Sequence, residues 1–281
     1  MKIKKILNNN AVVVSDQGEE KIILGLAIAF QKRKNDLIDR TKIEKVFVTT
    51  GWSEHEKFEE ILSTLPEEHI QVAEEIISYT EQELGVTLGE HIHIALTDHL
   101  SFALERLAKG MVIKNTLLKE IKILYTKEFQ IGCWAKALIQ DKLGVEIPED
   151  EVGYIAMHIH TAKMNVGDMT KTMDLTTMIH DMIEVIEDCL HIKIPEETVA
   201  FERLVTHLRF SIQRSEAGES ANLLKPEISQ VIKETYKEFY WCAQKAGQFA
   251  KEEYDFEMSD MELVYIAIQI QKIYHKLKIS T

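Results

Sequence analysis

The sequence predicts a multidomain protein, with a small antiparallel β-sheet head followed by two duplicated all-α helical-bundle domains. Three observations carry this. Short β-branched runs divided by turn residues fill the first fifty or so positions. Beyond them the apolar spacing changes to that of helices. Four landmarks then recur in the same order, offset by 106 to 111 residues. The first is Leu84-x-Val86-x-Leu88, repeated as Leu190-x-Ile192-x-Ile194. The second is His-Leu-x-Phe-x-x-x-Arg, read once from His99 to Arg106 and again from His207 to Arg214. The third is Tyr125 to Phe129, echoed by Tyr236 to Phe239. The fourth is Tyr154-Ile155-Ala156-Met157-His158-Ile159-His160, returning as Tyr265-Ile266-Ala267-Ile268-Gln269-Ile270-Gln271.

In chain order, the head opens with Ile3, Ile6 and Leu7 set among lysines, and Asn8-Asn9-Asn10 signals a turn or bulge. Val12-Val13-Val14, the turn-prone Ser15 to Gly18, and Lys21 to Leu24 follow. Ile28-Ala29-Phe30 and Glu44 to Val48 complete the expected strands. Gln31 to Asn35 is a basic loop. A head this small cannot bury much surface alone, so it is expected to dimerise or to lean on the rest of the chain. Gly51 to His55 reads as a linker. Glu74 to Leu84 is an amphipathic helix stopped by Gly85. Each repeat spans roughly 105 residues, with the join expected near Asn165 to Asp168. Ser259 with Glu262 forms a capping-box signature for the last helix.

The chain has a net charge of −13, yet residues 1–50 alone carry a surplus of four positive charges. An acidic bulk repels nucleic acid, whereas a basic head attracts it. There is no apolar run near 18 residues, so no transmembrane helix is expected. The start lacks the apolar core of a signal peptide. Three cysteines (Cys133, Cys189, Cys242) with no short spacing argue for reduced thiols in a cytoplasmic protein.

The histidines invite a metal reading. On a helix, however, the two members of His91-Ile92-His93 or of His158-Ile159-His160 point about 200° apart. His99 and His158 with a carboxylate would be an alternative set, but no zinc-binding motif supports it, and no cofactor is expected. Nucleotide-binding loops and a serine-hydrolase elbow are absent. Seven residues apart on a helix, His99 and Arg106 fall within about 20° of each other, as do His207 and Arg214. A neutral imidazole is nucleophilic and accepts phosphate, and the resulting charge of roughly −2 wants an arginine partner. Core-edge histidines in a duplicated domain would give the same pattern.

Several stretches carry a resemblance over essentially the whole chain: Met1 to Asn10, Ala27 to Lys32, His91 to Leu100 and Ile155 to His160. In them the sequence resembles the BglG/LicT/SacY family of transcriptional antiterminators, and most closely its sucrose-operon members from Gram-positive bacteria. The resemblance implies an RNA-binding domain at 1–56 and phosphotransferase-system regulation domains at 65–168 and 169–281. It implies a homodimer that binds a leader RNA hairpin and so lets polymerase pass a terminator of sucrose or β-fructoside genes. It also implies no catalytic role; the sugar permease (enzyme II) and the phosphocarrier protein would donate phosphate. RNA contact carries over to Lys5, Asn8, Asn10, Gly25, Phe30 and Gln31, and phosphorylation to His99, His158 and His207. Arg106 and Arg214 are the phosphate-pairing candidates. Two positions depart from the family pattern. Ala27 stands where many relatives have glycine, and Gln269 stands at the fourth phosphohistidine position. A permease-docking module with an inactive head is the alternative from another class, and a helical metalloenzyme is the third.

Overall fold

The computed structural model describes the chain except residues 17–18, 48–51, 165–168, 196–197, 218–224 and 280–281. It falls into two compact units, one formed by residues 1–114 and 130–167 and the other by residues 115–129 and 168–281.

In the first unit, β1 (Lys2–Asn8), β2 (Ala11–Asp16), β3 (Glu19–Leu24) and β4 (Lys45–Phe47) form an antiparallel sheet in the order β1-β2-β3-β4. Asn8 pairs with Ala11, so Asn9 and Asn10 make the β1–β2 turn. The pairing of β1 shifts register between Ile3 and Lys5 and again between Ile6 and Asn8. Successive side chains of a strand point to opposite faces, and here both faces are covered. Val12, Val14 and Ile23 pack under Ile28, Ala29 and Ile38. Ala11, Val13, Ile22, Leu24 and Phe47 pack against Phe58, Leu62 and Ile70 from beyond the head. Double coverage explains why Ala11 to Val14 of β2 are continuously apolar instead of alternating. Ile28-Ala29-Phe30 is no strand: residues 26–31 form turns, and Ile28 and Ala29 serve as a lid on the sheet.

Of the expected linker, Gly51 lies outside the described residues, and from Trp52 the chain is already helical. Helix α1 (Trp52–Thr64) runs to Leu65-Pro66, and α2 (Glu67–Leu84) follows. Pro66 fits just before a helix start, and Glu67 and Glu68 suit the positive end of the dipole. Gly85 ends α2 at φ 64°, a left-handed cap that glycine adopts without a Cβ penalty. Helices α3 (Ile92–Ala108) and α6 (Glu149–Lys163) complete the packed part of this unit that matters below.

The second unit contains α4 (Leu118–Leu124), α7 (Thr170–Leu190), α8 (Val199–Glu216), α9 (Pro226–Thr235), α10 (Lys237–Tyr254) and α11 (Asp260–Ile279). α5 (Thr126–Leu143) runs out of this unit. Helix α4 belongs to the first sequence repeat but is packed on α7 and α8. Glu120 meets His180 Nδ1 at 3.0 Å, Tyr125 meets Thr176 at 3.0 Å, and Arg209 donates to the Leu124 carbonyl at 2.9 Å.

The duplication is visible atom by atom. Leu88 N–H donates to Glu81 Oε1 at 3.0 Å, and its counterpart Ile194 donates to Glu187 Oε1 at 2.7 Å. His191 takes the left-handed cap position of Gly85, at φ 52°. Tyr125 and Tyr236 mark the same bend between two helices. The expected join at Asn165 to Asp168 lies outside the described residues.

The cysteine expectation is corrected at two positions. Cys189 on α7 and Cys242 on α10 are joined as a disulfide, with a Cα–Cα distance of 5.8 Å. Fifty-three residues separate them in sequence, and the packing of the two helices brings them together. Cys133 is exposed.

Candidate nucleic-acid interface and paired histidine sites

The six candidate RNA contacts divide into two groups. Phe30 and Gln31 lie on the exposed loop after β3, where Phe30 is 57% exposed. Gln31 sits at φ 57°. An exposed ring of this kind is available to stack on an unpaired base. The other four lie where the head meets the helices. Asn8, Asn10 and Gly25 line a hollow of about 430 Å³ together with Glu67, Gln71, Glu74 and Glu75 of α2.

Much of their polar capacity is already used. Asn8 accepts from Asn10 N–H at 2.8 Å and donates through Nδ2 to the Leu62 carbonyl at 2.8 Å. Asn10 Oδ1 accepts from Ala27 N–H at 2.5 Å, while the Asn10 carbonyl accepts from Gly25 N–H at 3.0 Å. Lys5 pairs with Glu59 at 2.6 Å. A Cβ on Gly25 would lie 1.8 Å from the Lys42 carbonyl oxygen, so glycine is needed there for backbone approach. Ala27 occupies φ 51°. That is the region glycine visits freely and a β-methyl disfavours, by roughly 1 kcal/mol. The departure noted in the sequence therefore falls on a genuinely left-handed residue.

The first unit brings His99 and His158 together, their ring centroids 4.9 Å apart, with Tyr154 at 5.7 Å from His99. They project from α3 and α6. His158 is pushed down to about 3 by burial, reinforced by the charges of His99 and His91. It is therefore a neutral ring at neutral pH. His99 Nε2 lies 3.3 Å from Glu151 Oε2, close enough for attraction but not aligned as a hydrogen bond. Arg106 grips the other oxygen of Glu151. Burial alone would raise the Glu151 carboxyl, but His99 and Arg106 together hold it below the usual carboxylate range. The predicted pairing of Arg106 with a phosphate thus meets a guanidinium already engaged with a carboxylate whose side chain is 1% exposed.

The second unit repeats the arrangement on α8 and α11. His207 faces Tyr265 at 5.4 Å, and Arg214 binds Glu262 through Nε at 2.7 Å and a second nitrogen at 2.8 Å. Ser211 donates to the same carboxylate at 2.5 Å. Burial lowers the His207 pKa, with the nearby charges of Lys272, Arg214 and Arg203 adding to the effect. Gln269, at the position of His158, is buried. The capping box is half made: Ser259 accepts from Glu262 N–H at 3.3 Å, but the Glu262 carboxylate serves Arg214 and Ser211.

The sequence pattern does not place Glu151 beside His99 and Arg106, and it gives Glu262 a capping role instead of pairing it with Arg214. Their signal was there, since a glutamate stands three residues before the tyrosine in both copies of the fourth landmark. Among the described residues, His180, Asp181 and Glu184 hold ligand atoms within 4.8 Å of one another. Asp181 already accepts from the Tyr254 hydroxyl at 2.5 Å, and His180 Nδ1 faces Glu120.

A small doubly covered β-sheet with a basic loop, followed by two copies of a His–Glu–Arg helical domain, defines a class: a β-sheet head followed by duplicated helical domains. Residues 1–56 match the CAT RNA binding domain, and residues 74–162 and 180–273 match the PRD domain. The chain is 38% identical to transcription antiterminator LicT of Bacillus subtilis, over 97% of this chain and 99% of that protein. It is 35% identical to the beta-glucoside operon antiterminator of Dickeya chrysanthemi, over 100% and 99%. The crystal structure of GlcT CAT-PRDI matches with a TM-score of 0.53 at 36% identity, covering 58% of this chain and 98% of that one. The chain belongs to the LicT/BglG-type transcription antiterminators, with an RNA-binding CAT domain and PRD regulatory domains. Both of these relatives are named as antiterminators. No helix among the described residues is long and apolar enough to cross a membrane.

Proposed function

We propose that this protein binds a hairpin in the leader RNA of sugar-utilisation genes, prevents termination there, and is switched by phosphorylation of His99, His158 and His207. The permease (enzyme II) and the phosphocarrier protein are the donors, and a homodimer is the binding form. The observation that carries the switch is the repeated His–Glu–Arg set. A phosphoryl group on His99 brings a charge of about −2 beside the buried Glu151 carboxylate. It repels that carboxylate and competes with it for Arg106, so α3 and α6 must repack. Neutral rings are tolerated in this packing and dianions are not. The sucrose or β-fructoside genes expected from the sequence remain the first reading of the target. The full-length similarity to a β-glucoside operon antiterminator favours β-glucoside genes as a second.

The test is a titration of the full chain against a hairpin transcript of its own upstream leader. Affinity should fall with rising salt as phosphate contacts release counterions. Phe30→Ala should weaken binding by about 1–3 kcal/mol through lost stacking. Its exposed ring contributes little to the fold, so melting should stay unchanged. Equal affinity of Phe30→Ala and wild type would remove this loop from the RNA surface.

A further inference from the structure

The face of the head that carries Lys5, Asn8 and Asn10 is occupied by the chain itself. Glu59 of α1 places a carboxylate on the Lys5 ammonium at 2.6 Å, and the Leu62 carbonyl accepts from Asn8 Nδ2 at 2.8 Å. An anionic oxygen on a lysine and a neutral carbonyl oxygen on an amide donor are the two kinds of acceptor that RNA offers, phosphate and base edge. The same helix supplies Phe58 and Leu62, 3% and 1% exposed, to the apolar sheet face of Ala11, Val13, Leu24 and Phe47. On the next helix, Glu74 of α2 pairs with Lys45 of β4 at 2.8 Å. Glu74 stays ionised although buried: burial would raise its pKa, and His93 and Lys45 together lower it.

The hollow beside Asn8, Asn10 and Gly25 is walled by Glu44, Glu67, Glu74 and Glu75, with Lys45 the one cation among the described lining residues and paired to Glu74. A polyanion entering it meets a row of carboxylates in a partly desolvated cleft, where like charges repel more strongly than in water. We propose that α1 and the start of α2 are an internal occupant of the RNA surface, mimicking phosphate and base acceptors, and that the arrangement seen here is RNA-incompetent. This rests on the RNA-binding reading above. RNA and α1 then compete, and the apparent affinity for RNA is the intrinsic affinity reduced by the fraction of heads left uncovered.

The test uses the full chain and the leader-hairpin transcript, with an unstructured RNA of equal length as control. Glu59→Gln removes the carboxylate mimic, which is a partly exposed pair, and should tighten binding roughly threefold. Glu59→Lys sets two cations against each other and should tighten it about tenfold or more. Hairpin binding by all three proteins with equal affinity overturns the inference while leaving the RNA reading intact. Hairpin binding by none of them at low salt overturns both. A second measurement on the unaltered chain guards against variants that fail to fold. When RNA displaces α1, a 13-residue helix loses its packed face and frays. Amide hydrogen exchange over residues 58–65 should therefore rise on adding the hairpin. Unchanged exchange there, with RNA bound, means that head and α1 stay together and overturns the proposal.

Discussion

His158 shows what one buried ring does at the scale of a residue. Its folded pKa of about 3 lies below the ordinary histidine value near 6.5. The unfolded chain therefore binds more protons than the folded one between those limits, and stability rises with pH across them. The contribution is present above pH 6.5 and is lost as pH falls toward 3. His158→Gln should flatten this dependence, and Gln269 at the matching position of the second repeat indicates that the amide fits. Melting temperature against pH, between about 4.5 and 6.5, isolates the effect from the carboxylates, which titrate lower. Parallel curves for variant and wild type would show that His158 is not neutral in the fold. The sequence made His99 and His158 legible as candidates because both lie in recurring landmarks, although only His99 recurs as histidine. It could not reveal that Asn8 and Asn10 spend their amides on the turn and on the Leu62 carbonyl, because those partners lie as far away as 54 residues. The left-handed backbone at Ala27, by contrast, was legible as a departure from glycine.

Among the elements, α8 and α11 are bridged by one buried carboxylate. Glu262 receives Arg214 and Ser211 and is 1% exposed in its side chain. Glu262→Ala leaves a guanidinium without its anion, which should cost about 2–4 kcal/mol, discounted because Arg214 is partly exposed. Replacing Glu262 and Arg214 together by leucine should cost less than Glu262→Ala, and urea denaturation of both variants measures the difference. A larger loss in the double variant would mean that the pair itself stabilises the fold beyond compensating its own burial. Helices α2 and α11 were readable from periodicity, Gly85 and Ser259. The Ile28 to Phe30 segment was not, because a buried turn and a strand present the same apolar run. Nor was the Cys189–Cys242 disulfide, since its two helices are neighbours only after folding.

Over the whole molecule, the two regulatory domains are not equivalent. Gln269 stands in the second domain where the first has the imidazole of His158, and a carboxamide does not take up a phosphoryl group as an imidazole does. On the phosphorylation reading proposed above, the second domain carries at most half the switching charge of a two-histidine domain. We further propose that phosphate on His99 holds the protein inactive and that phosphate placed on His207 by the general phosphocarrier favours read-through, so read-through in a reporter strain carrying His99→Ala should fall only modestly when that phosphocarrier is deleted. Complete loss would show that His207 alone carries the activating signal. The repeat was legible in four landmarks, but the assignment of residues 115–129 was not, because sequence repeats record ancestry and compact units record packing. That mismatch matters to anyone who takes the molecule apart. A gene fragment ended at the repeat join would deprive α4 of the surface that buries Leu117, Ile121 and Tyr125, and a fragment begun there would leave Thr176, His180 and Arg209 without their cover. Both halves would be sticky in isolation, and mixing them should restore solubility to each.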